Sequence, residues 1–100
     1  MEFSGLQLRV KVEFFSDLRE IVGEREKMLE FDNPPTIREV LDLLVKRYGR
    51  KIGKKIFDGG KLSEYYIFLL NGQNIRFLKG MDTTLEDRDE LAILPPVSGG

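Results

Sequence analysis

The sequence has no cysteine, no histidine and no tryptophan in its 100 residues, and only four prolines. Without cysteine there is no disulfide, thiolate metal site or cysteine nucleophile; without histidine the commonest acid–base group and metal ligand is missing as well. Such a chain is a poor catalyst on its own, and no catalytic residues of the usual kinds are expected within it. Charge of one sign is also lacking. Lys+Arg 16 against Asp+Glu 17 gives a net charge of −1, so no global field argues for nucleic acid or an anionic membrane as partner. No segment approaches the ~18 consecutive apolar residues of a membrane span, and the N-terminus lacks an apolar signal core, which makes a cytoplasmic location the expectation. A hydrophobic content of 41% at this length predicts one small domain over residues 1–100, large enough for a single core.

Met1 to Gly5 carries no pattern and reads as a loose leader. From Leu6 to Phe14 apolar and polar residues alternate strictly, which predicts a half-buried strand. Ser16 is placed to cap a short helix carrying Leu18, Ile21 and Val22, with Gly23 as its stop. Glu26 to Phe31 reads as a second strand. Asn33, Pro34 and Pro35 break it, and Thr36 with Glu39 three positions on forms a capping box. Ile37, Val40, Leu41, Leu44, Val45 and Tyr48 then follow helical spacing up to Gly49, the main amphipathic helix.

Arg50, Lys51, Lys54 and Lys55 surround Ile52, Ile56 and Phe57 in a short helical turn before Asp58-Gly59-Gly60. This basic cluster has two readings, a docking patch for an acidic partner or phosphate and a solvated surface run, and in a chain with balanced charge the second is the expectation. Tyr66 to Leu70 is a nearly continuous apolar run, fit for a central strand covered on both faces or on one face plus a partner. Asn71-Gly72 is a strong hairpin signal, and Gln73 to Phe77 is expected to return from it as a strand. Asp82, Asp87, Asp89 and Glu90 read as solvated turn chemistry, because hard-metal loops need a tighter, glycine-punctuated spacing. Leu91 to Leu94 is the last strand.

The order strand, strand, helix, strand, strand, short strand predicts an α+β chain with a mixed sheet and one main helix packed on one face, the β-grasp or ubiquitin-like arrangement. Its first and last strands lie parallel in the centre, with a hairpin on each flank. A ferredoxin-like sandwich needs two comparable helices, and the sequence has one.

The last strand runs into Pro95 and Pro96, which end it and direct Val97, Ser98, Gly99 and Gly100 outward as an extended tail over residues 95–100. Gly99 and Gly100 have no Cβ, so the backbone there fits a channel that any side chain blocks. The α-carboxylate of Gly100 is the candidate reactive group.

The run Asn71-Gly72, Ile75-Arg76, Gly80, Asp82-Thr83, Leu85, Asp87, Asp89-Glu90, Ala92-Ile93, Pro95-Pro96-Val97 and Gly99-Gly100 resembles the MoaD-type small subunits of molybdopterin synthase, within the MoaD/ThiS family of ubiquitin-like sulfur carriers. Phe14-Phe15, Leu18-Arg19, Ile21, Gly23, Thr36, Leu41 and Leu44 agree with it, so the resemblance extends from about Leu6 to Gly100. One departure is Arg88, between Asp87 and Asp89 where the family usually has glycine. If that turn needs positive φ, arginine there costs on the order of 1 kcal/mol.

The resemblance implies a cycle. A ubiquitin-activating-type enzyme joins Gly100 to AMP using ATP and Mg²⁺; sulfur from a sulfur-donating enzyme replaces AMP to give a thiocarboxylate; the tail then delivers that sulfur to the molybdopterin precursor in the large synthase subunit. The chain itself binds no cofactor or metal in this scheme. Conjugation through Gly100 to lysines of other proteins uses the same activated terminus, and tRNA thiolation or thiazole synthesis are further fates. The ending Pro-Pro-Val-x-Gly-Gly favours the molybdopterin role over these last two. Partners need apolar anchors near the tail exit: Leu94 and Val97 first, then Phe77, Phe68 and Leu78. Alternation by itself assigns Phe68 and Phe77 to the core.

Overall fold

Alternation along Leu8–Phe14 buries Val10, Val12 and Phe14 on one side of a strand and leaves Arg9, Lys11 and Glu13 on the other. In the computed structural model, which describes residues 7–96, this strand, β1, pairs antiparallel with β2 (Glu26–Phe31). Between them lies the short helix α1 (Asp17–Val22). The main helix α2 (Ile37–Tyr48) and a second helix α3 (Arg50–Ile56) follow. Two two-residue strands, β3 (Phe57–Asp58) and β4 (Lys61–Leu62), make a small separate hairpin. Then come β5 (Ile67–Leu70), β6 (Gln73–Asn74) and β7 (Glu90–Leu94).

The main sheet has the order β2-β1-β7-β5-β6. β1 and β7 are parallel in its centre, with Val12 opposite Leu91 and Phe14 opposite Ile93, and β5 joins β7 antiparallel. This is the predicted mixed sheet with a hairpin on each flank. The inward set Val10, Val12, Phe14, Leu29, Phe68, Leu70, Leu91 and Ile93 packs with Ile37, Val40, Leu41 and Leu44 of α2 in one core. Removing one such side chain to alanine costs about 2–5 kcal/mol.

Local chemistry sets the ends of these elements. Thr36 accepts from the Glu39 N–H at 3.2 Å while the Glu39 carboxylate accepts from the Thr36 N–H at 2.9 Å, so the predicted capping box starts α2. Asn71 and Gly72 have φ of 51° and 87°, the two positive values that a tight two-residue hairpin turn requires. Asn71 also fixes the start of β7: its side-chain oxygen accepts from the Glu90 N–H and its amide donates to Asp89, both at 2.9 Å.

Three expectations are corrected. Ser16 does not cap α1; it sits at φ 57° with no side-chain hydrogen bond to the helix, and Arg19 Nε instead donates to the Phe14 carbonyl at 2.7 Å. The basic segment is a full seven-residue helix, held by burial of Ile52 and Ile56. The return strand from Asn71-Gly72 ends at Asn74, not Phe77: the Asn74 side chain accepts from the Arg76 N–H at 2.9 Å and starts a 3₁₀ turn over Ile75–Phe77. A second 3₁₀ turn, Gly80–Asp82, follows it. The leader and residues 97–100 lie outside the described residues. Among those described, no helix is long and apolar enough to cross a membrane.

Candidate functional site: the tail exit of the central strand

β7 ends at Leu94, immediately before Pro95 and Pro96, where the missing N–H groups end the ladder. The pleat turns Leu91 and Ile93 into the core and Ala92 and Leu94 to the outer face. On the neighbouring strand Ile67 lies opposite Leu94 and Leu69 opposite Ala92. These four residues make a half-buried apolar patch on the face away from α2, next to the exit. On the other side of β7 the same face turns polar: Glu13 lies opposite Ala92, and Lys11 reaches Glu90 at 3.8 Å.

The 3₁₀ turn that follows β6 carries Phe77, which is 85% exposed. Leu78 beside it is 37% exposed. An aromatic ring left so far in water has no role in holding this domain together. Phe68 is a correction to the proposed anchors: it is 3% exposed and belongs to the core, because it stands opposite Ile93 on the inner face. The expected anchors Leu94, Phe77 and Leu78 do lie at the surface, with Pro95 half-buried and Pro96 exposed. Val97, Ser98, Gly99 and Gly100 lie outside the described residues.

Ile67, Leu69 and Ala92 were not among the expected anchors. The signal for Ile67 and Leu69 is the unbroken apolar run Tyr66–Leu70, and that for Ala92 the apolar run Leu91–Leu94; each has more apolar positions than one buried face uses.

Behind the exit, Tyr66 donates to Asp17 Oδ2 at 2.7 Å and Lys55 Nζ approaches the same oxygen at 3.2 Å. Burial pushes the Asp17 carboxyl up, but the hydrogen bonds from Tyr66 and Lys55 and the Lys55 charge outweigh it and hold Asp17 below its ordinary value. Burial first, and then the Asp17 carboxylate, drive the Tyr66 phenol well above its ordinary value. Tyr48, half-buried and hydrogen-bonded to Glu24 at 2.9 Å, is pushed up to about 12 by its partial burial first and then by the Glu24 carboxylate. These phenols stay protonated at neutral pH and do not act as bases there.

The acids of the last turn serve the backbone. Asp87 accepts from the Arg9 N–H at 2.8 Å and Asp89 from the Glu86 N–H at 2.7 Å. Arg88 has φ 72°, so this turn does require the left-handed region, and arginine occupies it. The turn is anchored to β1 regardless, with the Arg88 N–H donating to the Arg9 carbonyl at 2.7 Å.

The parallel central pair, the flanking hairpins and the single long helix across one face define a β-grasp, ubiquitin-like domain whose central strand leads out into the tail. A family model described as the ThiS family matches residues 12–100, and the chain belongs to that family of ubiquitin-like sulfur carriers. It is 33% identical over 93 residues to small archaeal modifier protein 3 of Haloferax volcanii, covering 93% of this chain and 100% of that protein. The solution structure of small archaeal modifier protein 1 from Methanosarcina acetivorans superposes with a TM-score of 0.80 at 39% identity, covering 96% of this chain and 100% of that one. A molybdopterin synthase sulfur carrier subunit of Drosophila erecta is 29% identical over 102 residues, spanning 100% of both chains.

Proposed function

We propose that the protein is the sulfur-carrier subunit of a molybdopterin synthase, acting through a thiocarboxylate at Gly100. The observation that carries this reading is the course of β7: the central strand passes an outward apolar patch, meets two prolines, and leads toward the Gly99-Gly100 ending that the family match includes. A carboxylate is a poor electrophile. Its attack on the α-phosphate of ATP, assisted by Mg²⁺ on an activating enzyme, releases pyrophosphate and leaves an acyl adenylate; a sulfur nucleophile from a donor enzyme then displaces AMP. Acid–base groups for these steps belong to the partners, since this chain has no histidine or cysteine. The large synthase subunit receives the tail, and the thiocarboxylate sulfur passes to the pterin precursor.

A second reading, a protein modifier joined through Gly100 to lysines, is favoured by the similarity to the two small archaeal modifier proteins. Both readings share every step up to the activated terminus. Intact mass of protein isolated from its own cells separates them: a species with one carboxyl oxygen replaced by sulfur supports the carrier, whereas Gly-Gly remnants on other proteins' lysines without that species support the modifier. One residue appended after Gly100 is expected to abolish activation and leave the fold intact. Dithiolene formation by the untrimmed extended protein would overturn the tail mechanism.

A further inference from the structure

Charge is balanced over the whole chain but sorted along α2. Residues 46–61 hold seven of the 16 cations against one acid, Asp58. All seven are exposed, and among the described residues only Lys55 of these is in an ion pair. Residues 82–90 hold five acids against Arg88. That acidic segment lies at the N-terminal end of α2, where the Ile37 N–H donates to the Thr83 carbonyl at 2.9 Å and Thr36 bridges Thr84. The basic segment continues from the C-terminal end of α2, so the helix holds the two poles about 18 Å apart.

The tail leaves from the basic end. β7 starts at Glu90 in the acidic segment and runs to Leu94, which lies opposite Ile67. The residue before Ile67 is Tyr66, bonded to Asp17, which holds Lys55. Lys54, Lys55, Ser63 and the exposed Tyr65 line an open cleft of about 300 Å³ there with Asp17 and Tyr66.

Fold stability does not account for this sorting. Lys46 and Arg47 sit in the last turn of α2, where the helix dipole favours cations, but Arg50 and Lys51 open α3, where it disfavours them. Like charges gathered in this way also repel one another.

We infer that the basic end is a docking collar for an acidic rim around the entrance of the enzyme that adenylates the tail. This rests on the proposed function and adds the partner's surface chemistry to it. The collar shares its end of the molecule with the apolar patch of Ile67 and Leu94, and an apolar centre bordered by charge fits a protein interface. The acidic far end repels the same rim, so the field orients the molecule tail first. Such steering raises association rates by 10–10³-fold and fades with salt.

The test is the association rate with the adenylating enzyme from the same cells, measured from low to high ionic strength, together with pyrophosphate exchange at saturating carrier. Lys51→Glu/Lys54→Glu is expected to slow association at low salt by about tenfold, to flatten the salt dependence, and to leave saturated exchange unchanged. Arg38→Glu, an exposed charge reversal at the other end of α2, is expected to match the wild type. A double variant indistinguishable from wild type at every salt concentration overturns the collar alone. So does one that associates normally but loses binding to a single-stranded RNA oligonucleotide that the wild type binds, which assigns the pole to nucleic acid. A wild type that yields no pyrophosphate exchange overturns the proposed function itself.

Discussion

Tyr66 donates its phenolic hydrogen to Asp17 at 2.7 Å, joining the residue before β5 to the first turn of α1 across 49 positions of sequence. Lys55 of α3 meets the same carboxylate at 3.2 Å, so one side chain ties α1, α3 and the entry to β5 together behind the tail exit. Tyr66→Phe is expected to lower stability by about 1–2 kcal/mol at neutral pH, the cost of a lost hydrogen bond to a charged group. Urea unfolding checks this.

The same carboxylate gives the pH dependence its sign. Asp17 is held below its ordinary value in the fold, so the folded state binds its proton less readily than the unfolded chain. That contribution is complete above the unfolded carboxylate pKa of about 3.9 and is lost as pH falls through the lower folded value. Tyr48 acts in the opposite range. Its pKa is raised to about 12, so its contribution is complete below the unfolded tyrosine pKa of about 10 and is lost as pH rises through the folded value. Tyr66→Phe is expected to flatten the acid limb of a stability–pH curve, and Tyr48→Phe the alkaline limb.

Arg88 occupies φ 72° with its side chain 91% exposed and its nearest ion-pair partner, Asp87, at 4.0 Å. A surface pair of that length adds nothing measurable, while the left-handed backbone costs a β-carbon-bearing residue on the order of 1 kcal/mol. Arg88→Gly is therefore expected to stabilise the protein by about 0.5–1 kcal/mol, because glycine takes this conformation without a steric cost. A denaturant midpoint at or below that of the wild type sinks this account.

Thr36→Ala removes the oxygen that accepts from the Glu39 N–H at 3.2 Å. The loss is expected to be about 1 kcal/mol. Because this cap lies at the acidic end of α2, activation of Gly100 at low temperature is expected to be unchanged. Thermal melting and pyrophosphate exchange on the same sample measure the two effects.

What the sequence showed plainly was whatever depends on near neighbours or on strict period: the Thr36–Glu39 box, the Asn71-Gly72 turn, the inward set of β1 and the proline stop after Leu94. Element order then implied the parallel centre of the sheet. What stayed hidden depended on a single side chain or on distant placement. Alternation carried the return strand to Phe77, but Asn74 captures the Arg76 N–H and turns the chain out of the sheet. The basic run read as ordinary solvated surface because its position relative to the acidic turn and the tail exit is a property of the folded chain.

Phe68 and Phe77 carry the most direct consequence of that difference. Both are apolar aromatics in the segment around the Asn71-Gly72 turn, yet one is 3% exposed and the other 85%. Phe68→Ala empties a core site opposite Ile93, and a loss of about 3–5 kcal/mol is expected. Phe77→Ala removes a ring that little else touches, so the unfolding midpoint is expected to stay within about 0.5 kcal/mol of wild type. Affinity for a partner that grips the exposed ring is expected to fall by about 1–2 kcal/mol, the size of an aromatic anchor's truncation at an interface. Titration of the large synthase subunit and of the activating enzyme with Phe77→Ala, alongside its melting curve, measures the two effects separately. A variant that binds both partners as tightly as wild type removes Phe77 from the docking surface and leaves Leu94, Ile67 and Leu69 to supply its apolar centre.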